Sequence, residues 1–281
     1  MPALFVKHLT VMDFSYVDPS RGILGESWIV DVVLHGELDH QGMVFDFGHV
    51  KKQIKHAIDE SYDHRLLVPK GLSKLRSSID DGGLTISWQD NQGKAYRHLS
   101  PPSAAELMPC KEITVTSIAP LMETRLKQLL PSNVTDIAIT LRPEAIDGAF
   151  YHYSHGLKKH DGNCQRIAHG HRSRIDIQFD GQHSPDAEAF WANQWQDIYI
   201  GTKEDVISTQ SDDDQITFAY QAPQGYFELT LPRDRCYLIS TDSTVEYLAD
   251  HIAKETQKRH PGHQINVCAY EGVLKGAMAK A

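Results

Sequence analysis

A cysteine and two closely spaced histidines share the segment NCQRIAHGHRSRIDI, residues 163–177, and side chains of these types can build a metal-and-thiol site. Alternate side chains of a strand point to the same face, so His169 and His171 at the start of a strand can aim both imidazoles at one point. Zinc binds imidazole nitrogens, and a catalytic zinc often has three protein ligands and one open position. The segment therefore predicts two ligands of a zinc site and requires a third.

The third ligand is expected from the stretch that precedes the cysteine. His155 in YHYSHGL lies there, and a hairpin would place it beside the HGH triplet, while His152 and His160 are the alternatives. Cys164 could complete a closed, structural site as a fourth ligand. As a non-ligand it would instead be a thiolate held near a cation, available as a base or nucleophile. Solvent-facing histidines are the competing interpretation, because the chain carries 16 of them.

Composition restricts the classes of partner. The 281 residues include 28 basic and 37 acidic side chains, a net charge of -9, and 41% hydrophobic residues, enough for a real core. A general nucleic-acid or anionic-membrane binder would show a basic face instead. The four cysteines have no CxxC pair, and neither a signal peptide nor an apolar run of roughly 18 residues is recognisable. We therefore expect a reduced, soluble, cytoplasmic protein without nucleic-acid or membrane partners.

Two pairs of segments repeat in the same order along the chain. LTISWQDNQG at 84–93 matches ITFAYQAPQG at 216–225, and LGESWIVDVVLHG at 24–36 matches HGHRSRIDIQFDG at 169–181. The offsets of the two matches differ, so one copy has gained or lost loop residues between its blocks. Such internal similarity indicates a duplicated structural unit.

Both copies, residues 1–146 and 147–281, show the same coarse order of elements. Apolar segments rich in β-branched and aromatic residues predict strands, and DIAITL at 136–141 and INVCAY at 265–270 close the two copies. Apolar residues at helical spacing predict the helices. The order of strands, helix, strands, helix and strand, twice over, indicates the α+β class with antiparallel sheets. The expected helix N-caps are Asp46 in the first copy and Ser243 or Thr244 in the second.

The motifs together resemble the 6-pyruvoyl-tetrahydropterin synthase / 6-carboxytetrahydropterin synthase family over nearly the whole chain. In the second copy, HGL…C…HGH before a strand is similar to the family's zinc motif, and DSTVEYLADHI (242–252) and INVCAYEG (265–272) look like its S/T-x-E helix start and its closing strand with a terminal glutamate. In the first copy, GELDHQGMVFDFGHVKKQI (36–54) and YDHRLL (62–67) look like its G-x-V-x-D-F-x-x-L-K and D-H-x-x-L blocks. The zinc motif and the DH block are specific in combination, although each is weak alone.

The resemblance implies a zinc-dependent reaction on a dihydropterin. In the family a three-histidine zinc holds and polarises the hydroxylated side chain of the pterin, and a cation there stabilises developing negative charge. A cysteine and an Asp/His pair move protons, and a glutamate grips the amino-pyrimidinone edge by a two-point contact. Carried over by position, zinc falls to His155, His169 and His171, proton transfer to Cys164, Asp63 and His64, and pterin binding to Glu271 and Glu246.

The two copies carry complementary parts of this set. Aligned with the family pattern, Asp18, Leu24 and Glu26 stand in the first copy where the three histidines belong, so that copy cannot form the zinc site. The second copy has no Asp-His pair in residues 184–207. Because the family assembles its site at subunit interfaces, the resemblance implies a fused pair in which the first copy supplies the Asp/His pair to the second. Independent loss of function in both copies is the competing interpretation.

The fold that the resemblance implies is the tunnelling fold, in two tandem units that are each an antiparallel sheet with two helices on one face. Units of this kind join edge to edge into a β-barrel, which leaves no open strand edge. Two units per chain cannot close such a barrel. A homo-oligomer is therefore expected.

The implied substrate is 7,8-dihydroneopterin triphosphate. We favour the reaction that forms 6-carboxy-5,6,7,8-tetrahydropterin with loss of acetaldehyde and triphosphate, on the route to deazapurines such as queuosine. Four residues separate Cys164 from His169 where common family patterns have three or five, so 6-pyruvoyltetrahydropterin stays the alternative product. A non-catalytic pterin- or zinc-binding module and a cyclohydrolase-type enzyme are the other interpretations. Candidate triphosphate ligands are Lys51, Lys52, Lys55, Arg65, Lys158, Lys159, Arg166, Arg172 and Arg174.

Overall fold

The computed structural model describes residues 2–38, 40, 42–44, 46–210 and 214–281. Three residues of the motif at 36–54, namely Asp39, Gln41 and Phe45, therefore lie outside the described residues. Among the described residues, no helix is both long enough and apolar enough to cross a membrane.

The described elements of the first half follow the predicted order. The order from Ala3 to Pro143 is two strands, a helix, five strands, a helix and a strand. They are β1 (Ala3–Asp18), β2 (Gly22–Gly36), α1 (Phe47–Ser61), β3 (Leu66–Pro69), β4 (Arg76–Asp80), β5 (Gly83–Gln89), β6 (Ala95–Ser100), β7 (Ala105–Met108), α2 (Val115–Lys127) and β8 (Val134–Pro143).

The second half repeats this order and adds two short strands, β11 and β18. The predicted boundary at residues 146/147 falls in the segment between β8 and β9. The elements are β9 (Phe150–His155), β10 (His169–Phe179), β11 (Gln182–His183), α3 (Pro185–Gln194), β12 (Ile198–Thr202), β13 (Val206–Gln210), β14 (Gln215–Ala222), β15 (Gly225–Pro232), β16 (Cys236–Ile239), α4 (Val245–Arg259), β17 (Ile265–Tyr270) and β18 (Gly276–Lys280).

Each half has one core sheet of matching topology. The strand order is β7-β3-β1-β2-β8 in the first half and β16-β12-β9-β10-β17-β18, with β11 beside β10, in the second. The central ladders are antiparallel, as predicted. The strands β3, β7, β12 and β16 are added in parallel instead. A helix lies between β2 and β3 and between β10 and β12, which provides the long crossover that parallel pairing requires.

A third sheet joins the two halves edge to edge. Its order is β13-β14-β15-β6-β5-β4, so the hairpins formed by the repeated LTISWQDNQG and ITFAYQAPQG segments lie at its centre. Strand β15 pairs with β6 in antiparallel register, with Glu228 opposite Leu99 and Thr230 opposite Arg97. The duplicated hairpin therefore serves as the seam between the copies.

Two helices pack on each core sheet and bury the apolar faces that the sequence predicts. In the first half Ile54 of α1 and Met122 of α2 lie in one core with residues of β1, β2 and β8, and the second half has an equivalent core under α3 and α4. Leu129 continues the apolar spacing of the second helix in the sequence, but α2 ends at Lys127 and the Leu129 side chain is 53% exposed. The α+β class is confirmed.

The predicted helix caps are found where side-chain oxygens meet unpaired N–H groups. The Asp46 carboxylate accepts a hydrogen bond of 2.8 Å from the N–H of Gly48 at the start of α1. Thr244 is the N-cap of α4, and its hydroxyl accepts from the N–H of Tyr247. Of the two candidates for that position, Thr244 is therefore correct and Ser243 is not.

The two core sheets meet where β2 and β10 come unusually close. The ladder of β2 with β8 begins at Trp28 and that of β10 with β17 begins at Ile175, which leaves the preceding segments of both strands to face each other. Gly25 and Gly170 lie in this contact. A Cβ on Gly25 would stand 1.8 Å from the carbonyl oxygen of Tyr153, and one on Gly170 would stand 2.7 Å from the Cα of Gly25. The contact tolerates only glycine.

Replacement of Gly25 by Ala is expected to destabilise the protein by about 3 kcal/mol or more, because overpacking against a rigid backbone has few routes of relief. The midpoint of urea unfolding measures the effect. Gly48→Ala is the matched control, since a Cβ there has ordinary contact with Asp46 at 3.4 Å. Equal midpoints for the two variants would contradict the close approach.

Candidate active site

Three buried histidines converge at one end of the second core sheet. The antiparallel register of β9 and β10 places His155 directly opposite His169, with His171 two residues further along the strand. One ring nitrogen of each lies within 4.8 Å of the others. The predicted hairpin thus brings together the three histidines proposed as zinc ligands.

Among the described residues, hydrogen bonds engage Nδ1 of His155 and His169 and leave Nε2 free in both, whereas neither ring nitrogen of His171 has a hydrogen-bond partner. His155 Nδ1 lies 3.0 Å from the carbonyl oxygen of Ser243, and His169 Nδ1 lies 3.0 Å from that of Arg166. The Nε2 atoms of His155, His169 and His171 are buried and have no hydrogen-bond partner. Buried polar atoms are nearly always satisfied, so three converging orphan nitrogens fit a metal ion.

Burial keeps His155 and His169 in the neutral form that binds metals. Desolvation, with the neighbouring His171 as the next cause, lowers the pKa of His155 well below its ordinary value. Desolvation and then the neighbouring His155 do the same to the pKa of His169. Neutral imidazoles offer a lone pair without prior loss of a proton.

The two alternative third ligands lie elsewhere. His152 directs Nδ1 to the carbonyl oxygen of Gly25, at 2.8 Å. His160 is exposed, and its Nδ1 accepts from the N–H of Gly162. Among the described residues, neither belongs to a group of side chains that could hold a metal.

The Asp63–His64 pair of the first half reaches the cysteine of the second. Asp63 Oδ2 lies 2.5 Å from His64 Nδ1. Ligand atoms of His64, Cys164 and His169 all lie within 4.8 Å of one another. Although burial lowers it, hydrogen bonding to Asp63 and Cys164 raises the pKa of His64 to about 10. One chain therefore assembles all the groups that the sequence assigns to proton transfer.

Strand β1 holds this pair in place through its backbone. The N–H of Asp13 donates to Asp63 Oδ1 at 2.8 Å, and the N–H of His64 donates to the carbonyl oxygen of Asp13 at 2.6 Å. His64 adopts a left-handed backbone with φ of 53°. This conformation is uncommon for a residue with a side chain and marks a functional position in many proteins.

The two candidate pterin ligands differ in position. Glu271 follows β17, and its Oε1 lies 3.8 Å from Nε2 of His171, at the edge of the histidine cluster. Glu246 lies in the first turn of α4 with an exposed side chain. The structure thus brings Glu271 to the histidines, whereas it leaves Glu246 facing solvent beyond Thr244.

Four of the nine candidate triphosphate ligands, Lys55, Arg65, Lys158 and Lys159, form ion pairs among the described residues. Lys158 binds Asp205 at 2.6 Å and Lys159 binds Asp242 at 2.8 Å. Arg166 differs, because it is buried and directs Nη1 to the carbonyl oxygen of His64 at 3.4 Å. Among the candidate triphosphate ligands, Arg166 therefore contacts the Asp63–His64 pair directly.

Sequence reasoning missed Asp13, a buried carboxylate of β1 that faces the site. Its Oδ1 lies 3.3 Å from His171 Nδ1, and its Oδ2 lies 3.1 Å from Lys275 Nζ. The hydroxyl of Ser27 donates to it at 2.5 Å. Burial raises the pKa of Asp13, but its contacts with His171, Lys275 and Ser27 hold that pKa below its usual range. No spacing or motif links Asp13 to the histidines in the sequence.

A second, pseudo-equivalent position in the first half lacks the histidines. Tyr16 faces Leu24 there as His155 faces His169 in the second half. Tyr16 therefore stands in place of the first histidine, and the assignment of Asp18 to that place was wrong. The hairpin turn after β1 is much shorter than the loop between β9 and β10, so aligning the segments without strand register shifts the match.

An ion pair closes this pseudo-equivalent position. Asp197 takes the place of His64, because each lies two residues before the residue that pairs with Ser154 or Ser15, and both have positive φ, of 59° and 53°. Arg21 donates two hydrogen bonds to Asp197, of 2.7 and 2.5 Å. The region thus lacks the Asp-His pair, in agreement with the sequence.

Glu26, which stands in place of His171, is a buried carboxyl group in this closed position. Its side chain is 7% exposed and accepts from the N–H of Ser27 at 2.9 Å. Burial raises the pKa of Glu26 to about 7, against the lowering effect of the Ser27 hydrogen bond. The proton of Glu26 therefore couples folding to pH near neutrality.

Glu26→Gln is expected to remove this coupling. The folded pKa of about 7 exceeds the ordinary 4.5, so the stability linked to the proton is fully present below pH 4.5 and is lost as the pH rises through 7. One pKa unit corresponds to about 1.4 kcal/mol, so the variant should gain up to about 3 kcal/mol on wild type between pH 4.5 and pH 8. Urea unfolding across that range measures the difference, and a constant difference would contradict the expectation.

Comparison with known proteins identifies the family of both halves. The family model described as 6-pyruvoyl tetrahydropterin synthase matches residues 8–152 and again residues 148–272. A protein of Methanocaldococcus jannaschii named "Putative 6-carboxy-5,6,7,8-tetrahydropterin synthase" is 29% identical over 139 residues, 47% of this chain and 82% of that protein. A protein of Pyrococcus horikoshii with the same name is 36% identical over 59 residues, which span 21% of this chain and 34% of that protein.

Among solved structures, 6-pyruvoyltetrahydropterin synthase of Plasmodium vivax is similar to half of the chain. The match covers 50% of this chain and 97% of that one, at 16% identity and a TM-score of 0.39, which is too low to carry an argument by itself. The two family matches together account for nearly all of the sequence and for its repeated order of elements. The chain consists of two tandem tunnelling-fold units and belongs to the 6-pyruvoyl tetrahydropterin synthase family.

Proposed function

We propose that the protein is a zinc-dependent lyase that acts on 7,8-dihydroneopterin triphosphate and forms 6-carboxy-5,6,7,8-tetrahydropterin, with loss of triphosphate and acetaldehyde. The observation that carries the proposal is the meeting of Asp63 and His64 with Cys164 beside the three-histidine cluster. These groups come from opposite halves of one chain. A binding module without catalysis would not require the Asp-His pair at this place.

The proposed proton transfers follow from the contacts of His64. Asp63 holds its Nδ1, so Nε2 faces the site, and a pKa of about 10 keeps the ring protonated near neutral pH. Cys164 lies beside this imidazolium and is the proposed base that takes a proton from the substrate side chain. His64 can in turn donate its own proton to a developing oxyanion.

The bound metal and the pterin anchor complete the proposed site. Zinc held by His155, His169 and His171 would act as a Lewis acid toward the hydroxylated side chain of the pterin. The carboxylate of Glu271 lies at the edge of this cluster and can accept two N–H groups of the amino-pyrimidinone ring. Glu246 is proposed to contact the pterin only once substrate fills the space beside α4.

The names of the relatives favour the carboxy product. Three archaeal proteins that match this chain, including the two described above, carry the name "Putative 6-carboxy-5,6,7,8-tetrahydropterin synthase". The family model itself is described by the pyruvoyl product, which stays the second candidate. The carboxy reaction needs a water molecule, because the carboxyl group has one oxygen more than the side-chain alcohol from which it forms. The corresponding cellular role is to supply this product to the deazapurine (queuosine) pathway.

Product analysis tests the proposed reaction. Zinc-loaded protein is incubated with 7,8-dihydroneopterin triphosphate, and pterins and acetaldehyde are identified by mass spectrometry. Carboxytetrahydropterin with acetaldehyde is expected from the wild type, and Cys164→Ala should lower turnover by at least about 100-fold, in the range for loss of a general base. Cys110→Ala is the control, because Cys110 packs against the first-half core and belongs to neither candidate metal group found among the described residues.

Metal content decides the role of the cysteine in the same samples. Cys164→Ala should keep one zinc per chain if His155, His169 and His171 are the ligands. Loss of zinc from Cys164→Ala would favour the overlapping group His64, Cys164 and His169, and with it a cyclohydrolase-type or binding-module interpretation. Wild-type protein with bound zinc and no turnover would reject the catalytic proposal itself.

The proposal includes a cytoplasmic homo-oligomer. The sheet shared by the two halves ends at β4 and β13, and Ile79 on the terminal strand β4 is 72% exposed. Exposed strand edges invite pairing with another chain. The four cysteines are unpaired, which suits a reducing compartment. Light scattering should give a multiple of the single-chain mass, and a monomer at working concentration would contradict this part.

A further inference from the structure

The contacts of the histidine rings differ in one respect that the proposed function does not use. His155 and His169 present Nδ1 to backbone carbonyl oxygens within the second half, each at 3.0 Å. His171 instead presents Nδ1 to a carboxylate of the first half, Asp13, at the ion-pair distance of 3.3 Å. One of the three rings is thus oriented by the other copy.

The surroundings of Asp13 hold its carboxylate in a fixed position. Ser27 of the first half donates to Oδ1 at 2.5 Å, and Lys275 of the second half contacts Oδ2 at 3.1 Å. Each carboxylate oxygen therefore has a partner, and the two partners come from opposite halves. Gly272 leaves room for it, because a Cβ there would stand 2.4 Å from Asp13 Oδ1. The Asp13 side chain is 4% exposed, so bulk water does not compete for its carboxylate.

The backbone of the same residue holds the Asp63–His64 pair. Its N–H donates to Asp63 Oδ1, and its carbonyl oxygen accepts from the N–H of His64. Asp13 therefore contacts the histidine cluster through its side chain and the proton-transfer pair through its main chain. A shift of this one residue would displace both parts of the site.

We propose that Asp13 is the positioning residue that fixes His171 for metal binding across the boundary between the halves. A carboxylate 3.3 Å from Nδ1 favours the tautomer with the proton on that nitrogen, which leaves the lone pair on Nε2, and it favours one orientation of the ring. The inference rests on the proposed metal site but not on the proposed reaction. It makes the metal affinity of the second half depend on a residue of the first.

The experiment compares Asp13→Asn with wild type and with Asp31→Asn. Asp31 is a matched control, because it is also buried and paired, but with Lys7 and Arg142 on the first half. Zinc dissociation constants are measured by competition with a chromogenic chelator, in the absence of substrate. Loss of a carboxylate that orients a metal-binding histidine typically weakens metal binding about 10- to 100-fold, and we expect this for Asp13→Asn alone.

Each outcome decides the inference. Equal zinc affinity of Asp13→Asn and wild type, or equal losses in both variants, would overturn it. Should Asp13→Asn fail to fold, nitrogen-15 spectra of the histidines in metal-free wild type still decide: a proton on Nδ1 of His171 supports the role of Asp13, and a proton on Nε2 rejects it. Neither readout involves turnover, so an inactive wild type with a selective affinity loss would reject the reaction and keep the positioning role.

Discussion

The close approach of β2 and β10 at Gly25 and Gly170 is the constraint on which the site depends. Neither position has space for a Cβ, because the backbone of the other half occupies it. This contact sets β1 beside the start of β10, and through it Asp13 and the Asp63–His64 pair reach the histidines of the second half. Two glycines without side-chain chemistry thus determine whether the chemically active groups meet.

The two pseudo-equivalent positions of the duplicated fold differ in how their buried polar groups are paired. Buried polar atoms need partners. In the second half three Nε2 atoms converge without a hydrogen-bond partner among the described residues, which favours a cation. In the first half Leu24 replaces a histidine and Arg21 pairs with Asp197, so the charges there neutralise each other within the chain. The second half thus presents a candidate metal site, whereas the equivalent position of the first half is filled by an ion pair.

The sequence predicts features that depend on local period, and misses those that depend on contact between the halves. Strand alternation is enough to place His169 and His171 on one face, and the DH block identifies Asp63 and His64. Asp18 was aligned in place of Tyr16 because loop lengths, unlike strand register, do not preserve position. Asp13 gave no signal, since its role arises only where β1 packs beside β10.

Because the Asp63–His64 pair and Cys164 lie on a single chain, their encounter does not depend on protein concentration. Where a site is divided between separate subunits, dilution below the dissociation constant of the assembly separates its parts. Here the parts are tethered, so their effective concentration is set by the chain and is independent of how much protein is present. Folding of one molecule is sufficient to assemble the proton-transfer groups, even if a larger assembly dissociates.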